Sequence, residues 1–132
     1  MRVITMDEFL YHEFGANPTR KVRLPVSPET SGDNMTITYV KVPPNGISEG
    51  HVHPDTNEYI YFDIGGAAIV DEVRVQLPPR SMVLAQAGEK HECINTSSTE
   101  ELTLLCIYVP PLELSGKFIE LAEKTRAFLK GK

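Results

Sequence analysis

His51-Val52-His53-Pro54-Asp55-Thr56-Asn57-Glu58-Tyr59-Ile60-Tyr61-Phe62-Asp63-Ile64-Gly65 is the stretch on which the fold turns. Residues two apart on a β-strand point to one face, so the imidazoles of His51 and His53 can converge on a single point. Glu58 follows His53 by five residues, an odd offset that would put it on the opposite face of a continuous strand. Pro54-Asp55-Thr56-Asn57 is strong turn material, however, and a turn resets the parity. A new strand over 58–64 then carries Glu58, Ile60 and Phe62 on its inner face, with Tyr59, Tyr61 and Asp63 on the other.

Further short extended runs lie on both sides, at 35–42, 67–70, 73–77, 82–85, 91–95 and 102–109, separated by Gly65-Gly66, Asp71-Glu72, Pro78-Pro79 and Thr96-Ser97-Ser98-Thr99. Many short strands at this spacing predict an all-β sandwich or barrel rather than βαβ units. Helix is expected twice. Thr5-Met6-Asp7-Glu8 has the form of a capping box and predicts a short helix near 6–12. At the other end Ser115 can cap a helix over about 115–130, in which Phe118, Leu121, Ala122, Thr125, Phe128 and Leu129 follow the 3.6-residue period. No internal repeat or long linker divides the chain, so 1–132 is expected to form one domain with a barrel core over about 35–112.

Composition narrows the function. The 132 residues carry 13 basic against 18 acidic side chains, a formal charge of −5, which is the wrong sign for a surface that tracks nucleic acid or anionic lipid. No window approaches the roughly 20 apolar residues that span a bilayer, and the first ten residues do not form an export signal, so a cytoplasmic protein is expected. Cys93 and Cys106 have no C-x-x-C spacing and are expected to be reduced, buried thiols. The apolar C-terminal helix and the proline-rich N-terminal third exceed what one small barrel needs to cover itself, and on that ground a homodimer is expected.

The chain has four histidines, at 12, 51, 53 and 91. His91 opens a strand after the turn Ala87-Gly88-Glu89-Lys90, and His51, His53, Glu58 and His91 together make three imidazoles and one carboxylate. That donor set suits Fe, Mn, Co, Ni, Cu or Zn and serves Ca or Mg poorly, with the choice among the six left open. His12 reads as a surface residue.

In this arrangement the sequence resembles the cupin superfamily. Cupins carry a first motif of glycine, five residues, H-x-H, three or four residues, glutamate, six residues and glycine; here His51-Val52-His53, Glu58 and Gly65 keep the spacing, and Asn45 stands at the opening glycine. In the second motif Gly88, His91 and Asn95 keep the spacing, while Arg80 replaces its opening glycine and Gln86 its proline. The resemblance implies a double-stranded β-helix (jelly-roll) barrel, flanked by the short N-terminal helix and the C-terminal helix, with a metal held by His51, His53, Glu58 and His91. Gly65, Gly88 and Asn95 read as structural, the glycines for backbone turns and Asn95 for a hydrogen bond near the barrel mouth.

Other residues are placed by parity. In the run 35–42, Met35, Ile37, Tyr39 and Lys41 alternate with Thr36, Thr38, Val40 and Val42, and the residues do not decide which set faces the metal. If the first does, Tyr39 and Lys41 are the candidate catalytic groups. Ile60, Phe62, Cys93, Cys106 and Tyr108 are the candidate substrate contacts, with packing favoured for the two thiols. Two functions remain: a metal-dependent enzyme acting on a small organic molecule, by dioxygenase-type or by isomerase, decarboxylase or lyase chemistry, or a non-catalytic module that binds a small ligand or metal for sensing or storage.

Overall fold

The computed structural model of the chain describes residues 1–16 and 18–132, with the backbone alone at Gly50 and His51. Ten strands form two antiparallel sheets. Strands β1 (His12–Phe14), β2 (Arg20–Val26), β3 (Thr36–Val42), β10 (Leu102–Val109), β5 (Asn57–Phe62) and β8 (Ser81–Ala85) lie in that order in one sheet. The other runs β4 (Ile47–His51), β9 (His91–Ile94), β6 (Gly66–Val70) and β7 (Val73–Leu77). From β3 to β6, and again from β7 to β10, each successive strand changes sheet, which is how a jelly roll closes its barrel.

Strict alternation sets the inner faces. Thr36, Thr38, Val40 and Val42 of β3, Glu58, Ile60 and Phe62 of β5, and Leu102, Leu104, Cys106 and Tyr108 of β10 are buried, while their neighbours are not. The register pairs Cys106 with both Thr38 and Ile60, and Tyr108 with both Thr36 and Glu58. Side chains of one parity on three adjacent strands therefore share one interior. Ala68 and Cys93 meet them from the second sheet. Gly66 is required there, because a Cβ on it would lie 2.7 Å from the Ile94 carbonyl oxygen and 3.2 Å from the Phe62 ring.

The N-terminal helix expected near 6–12 shrinks to a 3-10 turn at Met6–Glu8, in which Thr5 N donates to Glu8 Oε2 at 2.8 Å. A short isolated helix is weak, and pairing of β1 with β2 takes the following residues into the sheet. Strand β2 itself was hidden by Pro18, Pro25 and Pro28. Pro25 cannot donate to the ladder and falls where the β2–β3 register shifts, between Arg23 and Val26. Pro28 opens the four-residue helix α1 (Pro28–Ser31), capped by Ser27 Oγ, which accepts from Thr30 N at 3.2 Å.

Helix α2 (Lys117–Lys130) is capped by Gly116 rather than Ser115. It buries Leu121, Ala122 and Thr125 against β2 and α1. Phe118 stacks on Phe14 at 4.8 Å and Phe128 meets Phe9 at 5.2 Å. The apolar face that suggested a homodimer is thus covered by the N-terminal elements of the same chain.

The β6–β7 hairpin turns on Asp71 (φ 45°) and Glu72 (φ 69°), a two-residue loop with both central residues left-handed. A non-glycine residue there costs about 1 kcal/mol, partly offset by the freedom glycine adds to the unfolded chain. Glu72→Gly is expected to stabilise the protein by about 0.5 kcal/mol in urea unfolding, and a loss of stability would contradict this turn geometry.

Candidate metal centre

Three loops and strand ends meet at one end of the barrel. Strand β4 stops at His51, so His53 lies beyond it, and the expectation of both imidazoles on one strand is corrected. What holds His53 is the backbone: its carbonyl accepts from Gly88 N at 2.9 Å. Asn57 Oδ1 accepts from Ala87 N at 2.9 Å, and Asp71 Oδ1 from Lys90 N at 2.9 Å. The loop before His91 is thereby clamped against the turn before Glu58. Gly88 turns it at φ 85°, and Gln86 N donates to Glu89 Oε1 at 2.7 Å, a bond that a proline at this position would forbid.

These clamps bring His53, Glu58 and His91 together, with their donor atoms within 4.8 Å of one another. Glu58 Oε1 lies 2.7 Å from His91 Nε2 and 3.4 Å from His53 Nε2. The two imidazole rings are 5.3 Å apart, and His53 meets the Tyr108 ring edge-on at 5.6 Å. Glu58 and His91 are 4% and 5% exposed, so the pair is shielded from solvent. The side chain of His51 lies outside the described residues, although its backbone pairs with His91 in the β4–β9 register.

The electrostatics follow from that geometry. Burial works to raise the Glu58 carboxyl, but hydrogen bonds from His53 and His91 and their charge outweigh it and hold the pKa at about 2. Burial works against a charged His91, and the Glu58 carboxylate outweighs that too, so its pKa rises above the ordinary 6.5. A carboxylate only accepts, and so does the Glu89 carbonyl 3.2 Å from His91 Nδ1. In the metal-free protein these acceptors favour the form of His91 with a proton on each ring nitrogen. A metal ion held by His91 and Glu58 would take the place of one of those protons, while Nδ1–H would keep its carbonyl and with it the tautomer that leaves Nε2 free to ligate. The cluster fits a metal ion on those grounds.

A sign for the pH response follows. With its pKa depressed, Glu58 contributes stability above the ordinary 4.5 that is lost as pH falls towards about 2. With its pKa raised, His91 contributes stability below 6.5 that is lost as pH rises through its higher folded value. Metal-free protein is therefore expected to melt highest between 4.5 and 6.5 and lower on either side. Metal affinity should instead rise with pH, since binding expels the His91 proton. Melting curves with and without chelator test both signs.

The space beside the cluster is about 30 Å³ and is walled by Thr38, Cys93, Cys106 and Tyr108 as well as by Glu58 and His91. That is room for about two waters. A wider cavity of about 280 Å³ lies on the other side of His53, between the 54–56 turn and the 110–113 segment. Burial first, and then the Glu58 charge, push the Cys93 and Cys106 thiols and the Tyr108 phenol up. They are neutral proton carriers, and Tyr108 Oη lies 3.5 Å from Thr38 Oγ1.

Several expected residues lie elsewhere. Tyr39 and Lys41 are on the outer face of β3, where Lys41 Nζ donates to Thr103 Oγ1 at 2.9 Å and sits 4.9 Å from the Tyr39 ring. Thr38, of the opposite parity, takes the inner position. Ile60 and Phe62 belong to the core and do not wall the small cavity, whereas Cys93, Cys106 and Tyr108 do. Asn95 braces the end of the barrel opposite the cluster, not its mouth, donating to the carbonyls of Val42, Pro43 and Glu100. Gly65 is needed for close approach, since a Cβ would lie 2.9 Å from the Leu77 carbonyl oxygen. Asn45 (φ 60°) and Arg80 (φ 59°) adopt the left-handed backbone that a glycine would take without strain. His12 is half-buried, 3.3 Å from Glu120. The sequence reading passed over Arg20, which is 7% exposed and also walls the cavity.

A jelly roll whose interior holds such a cluster is the architecture of the cupins, and the cupin domain family matches residues 38–108; the chain belongs to that family. Solved structures agree on the fold. A "predicted oxalate decarboxylase" from Thermotoga maritima superposes with a TM-score of 0.74 at 17% identity, over 83% of this chain and 99% of that one. The protein TT1209 from Thermus thermophilus gives 0.66 at 20% identity, over 85% and 100%. Ectoine synthase from P. lautus gives 0.67 at 17% identity, over 85% and 80%. No curated protein matches the sequence. Among the described residues, no helix is long and apolar enough to cross a membrane.

Proposed function

We propose that the protein is a metal-dependent cupin enzyme that acts on a small organic molecule by proton-transfer chemistry of the isomerase, decarboxylase or lyase type, with His51, His53, Glu58 and His91 as the metal ligands. The observation that carries this reading is the convergence of His53, Glu58 and His91 within 4.8 Å beside a small cavity that also holds protonated donors. When bound, a divalent ion of the zinc, nickel or manganese kind supplies the Lewis acidity that polarises a carbonyl or steadies an enolate. The protein does the rest. The walls narrow the space to about 30 Å³, Thr38 orients the Tyr108 hydroxyl, and Tyr108 keeps its proton at Oη to offer a developing oxyanion.

The test is proton exchange. Metal-loaded protein is incubated in D2O with small ketones, hydroxyketones and keto acids and followed by NMR. Deuterium uptake or decarboxylation is expected in the wild type and absent in His91→Ala. In Tyr108→Phe it should fall by roughly 100-fold or more with metal retained. Ligand binding without exchange or turnover across the set would favour the sensing or storage module instead.

A further inference from the structure

Arg20 opens β2 and is 7% exposed, yet its side chain walls the same cavity as Glu58, His91 and Tyr108. A guanidinium does not give up its charge in a protein, so burying one calls for an anion or an aromatic face nearby. The Phe14 ring lies 5.8 Å from its central carbon. Glu49, on β4 at the rim, is the strongest charge acting in its favour, but that residue is itself exposed to solvent. Gly15 leaves the opening for the pair: a Cβ there would lie 3.1 Å from Arg20 Nη1 and 3.8 Å from Glu49 Oε1.

The charge balance inside is more telling. The two thiols and the phenol are neutral, and Glu58 is the one carboxylate among the described residues that wall the cavity from a buried position. A divalent ion held by one carboxylate and neutral imidazoles keeps a net positive charge, and Arg20 adds another. Glu49 offsets one from the rim. The filled cavity therefore remains positive and favours a negatively charged guest.

We propose that Arg20 anchors the carboxylate of the substrate, so that the substrates are short-chain carboxylic acids whose other functional group reaches the metal centre. This rests on the metal reading above. Arg20 is a positioning residue: its planar fork matches a carboxylate in two parallel hydrogen bonds and fixes which end of a small acid faces the metal. The roughly 30 Å³ of free space, room for about two waters, matches the size of a carboxylate head.

Binding to the Co(II)-loaded protein tests this, read from the visible spectrum and by calorimetry, with glycolate, its neutral isostere glycolamide, and inorganic phosphate as probes. Glycolate is expected to bind roughly 10- to 100-fold more tightly than glycolamide and more tightly than phosphate. Arg20→Met should erase that preference while leaving Co(II) affinity within about twofold, and Arg20→Lys should restore part of it. If Arg20→Met does not fold, the wild-type comparison and Arg20→Lys carry the test. Equal binding of glycolate and glycolamide, a preference for phosphate, or an unchanged preference in Arg20→Met would overturn the assignment while leaving the metal reading intact. Failure of the wild type to take up Co(II) would overturn the metal reading, and this assignment with it.

Discussion

Replacing His91 by alanine is expected to lower affinity for divalent transition metals by more than 100-fold. Loss of a hydrogen-bond partner behind a ligand already costs roughly 10- to 100-fold, and His91 is itself one of the three described donors within 4.8 Å. Glu58→Ala should be at least as severe for metal and should also destabilise the metal-free fold. It leaves His91, 5% exposed, without the carboxylate 2.7 Å away, so the buried ring loses both a hydrogen-bond partner and the charge that raises its pKa. Breaking a buried pair of this kind costs about 3–5 kcal/mol. In His91→Ala, by contrast, His53 still faces Glu58 at 3.4 Å, so its penalty in stability should be the smaller of the two. Competition with a chromogenic chelator reads the affinities, and urea unfolding without metal reads the stabilities. Wild-type affinity in either variant would remove that residue from the site.

Asn95→Ala is expected to carry a large stability cost although the residue lies outside the cluster. Asn95 is 1% exposed; its amide nitrogen reaches the carbonyls of Glu100, Pro43 and Val42 at 2.8, 3.0 and 3.1 Å, and its oxygen accepts from Ser97 N at 3.0 Å. One side chain thus ties the end of β3 to the 95–100 turn. Its removal leaves buried backbone groups unpaired and a small void, together worth about 3–5 kcal/mol. Asn95→Asp should be no better, because it turns a carboxylate towards three carbonyl oxygens. Metal affinity measured in native buffer should hardly move, since the cluster sits at the other end of β9. A stability loss below about 1 kcal/mol in urea unfolding would contradict this role.

The barrel was legible wherever strands alternate. Glu58, Ile60 and Phe62 declared their face through the turn at 54–57, and β7 and β10 fall where their runs of extended residues place them. What stayed hidden was decided by partners far along the chain. The inner set of β3 follows from its register with β10, which brings Thr38 opposite Cys106, and alternation alone treats both faces alike. Strand β2 was masked by prolines that the sheet accommodates with a register shift. The N-terminal capping box was real in its Thr5–Glu8 hydrogen bond, but local capping could not outweigh strand pairing. At the site, the H-x-H pair and the cupin motif spacing singled out His51, His53, Glu58 and His91, and the structure brings the last three together. Arg20 gave no such signal: it stands more than thirty residues from Glu58 in the sequence, and only the closure of β2 over the barrel brings them to one cavity.

The proposed function stands on the binding of a metal ion by His53, Glu58 and His91. The most direct measurement is the metal content of the wild-type protein, purified without chelator or a nickel column, by elemental analysis before and after titration with manganese, iron, cobalt, nickel, copper and zinc. Close to one transition-metal ion per chain, removed by chelator and restored by titration, is expected. A chain that takes up none of these ions, while folded by circular dichroism, would contradict it.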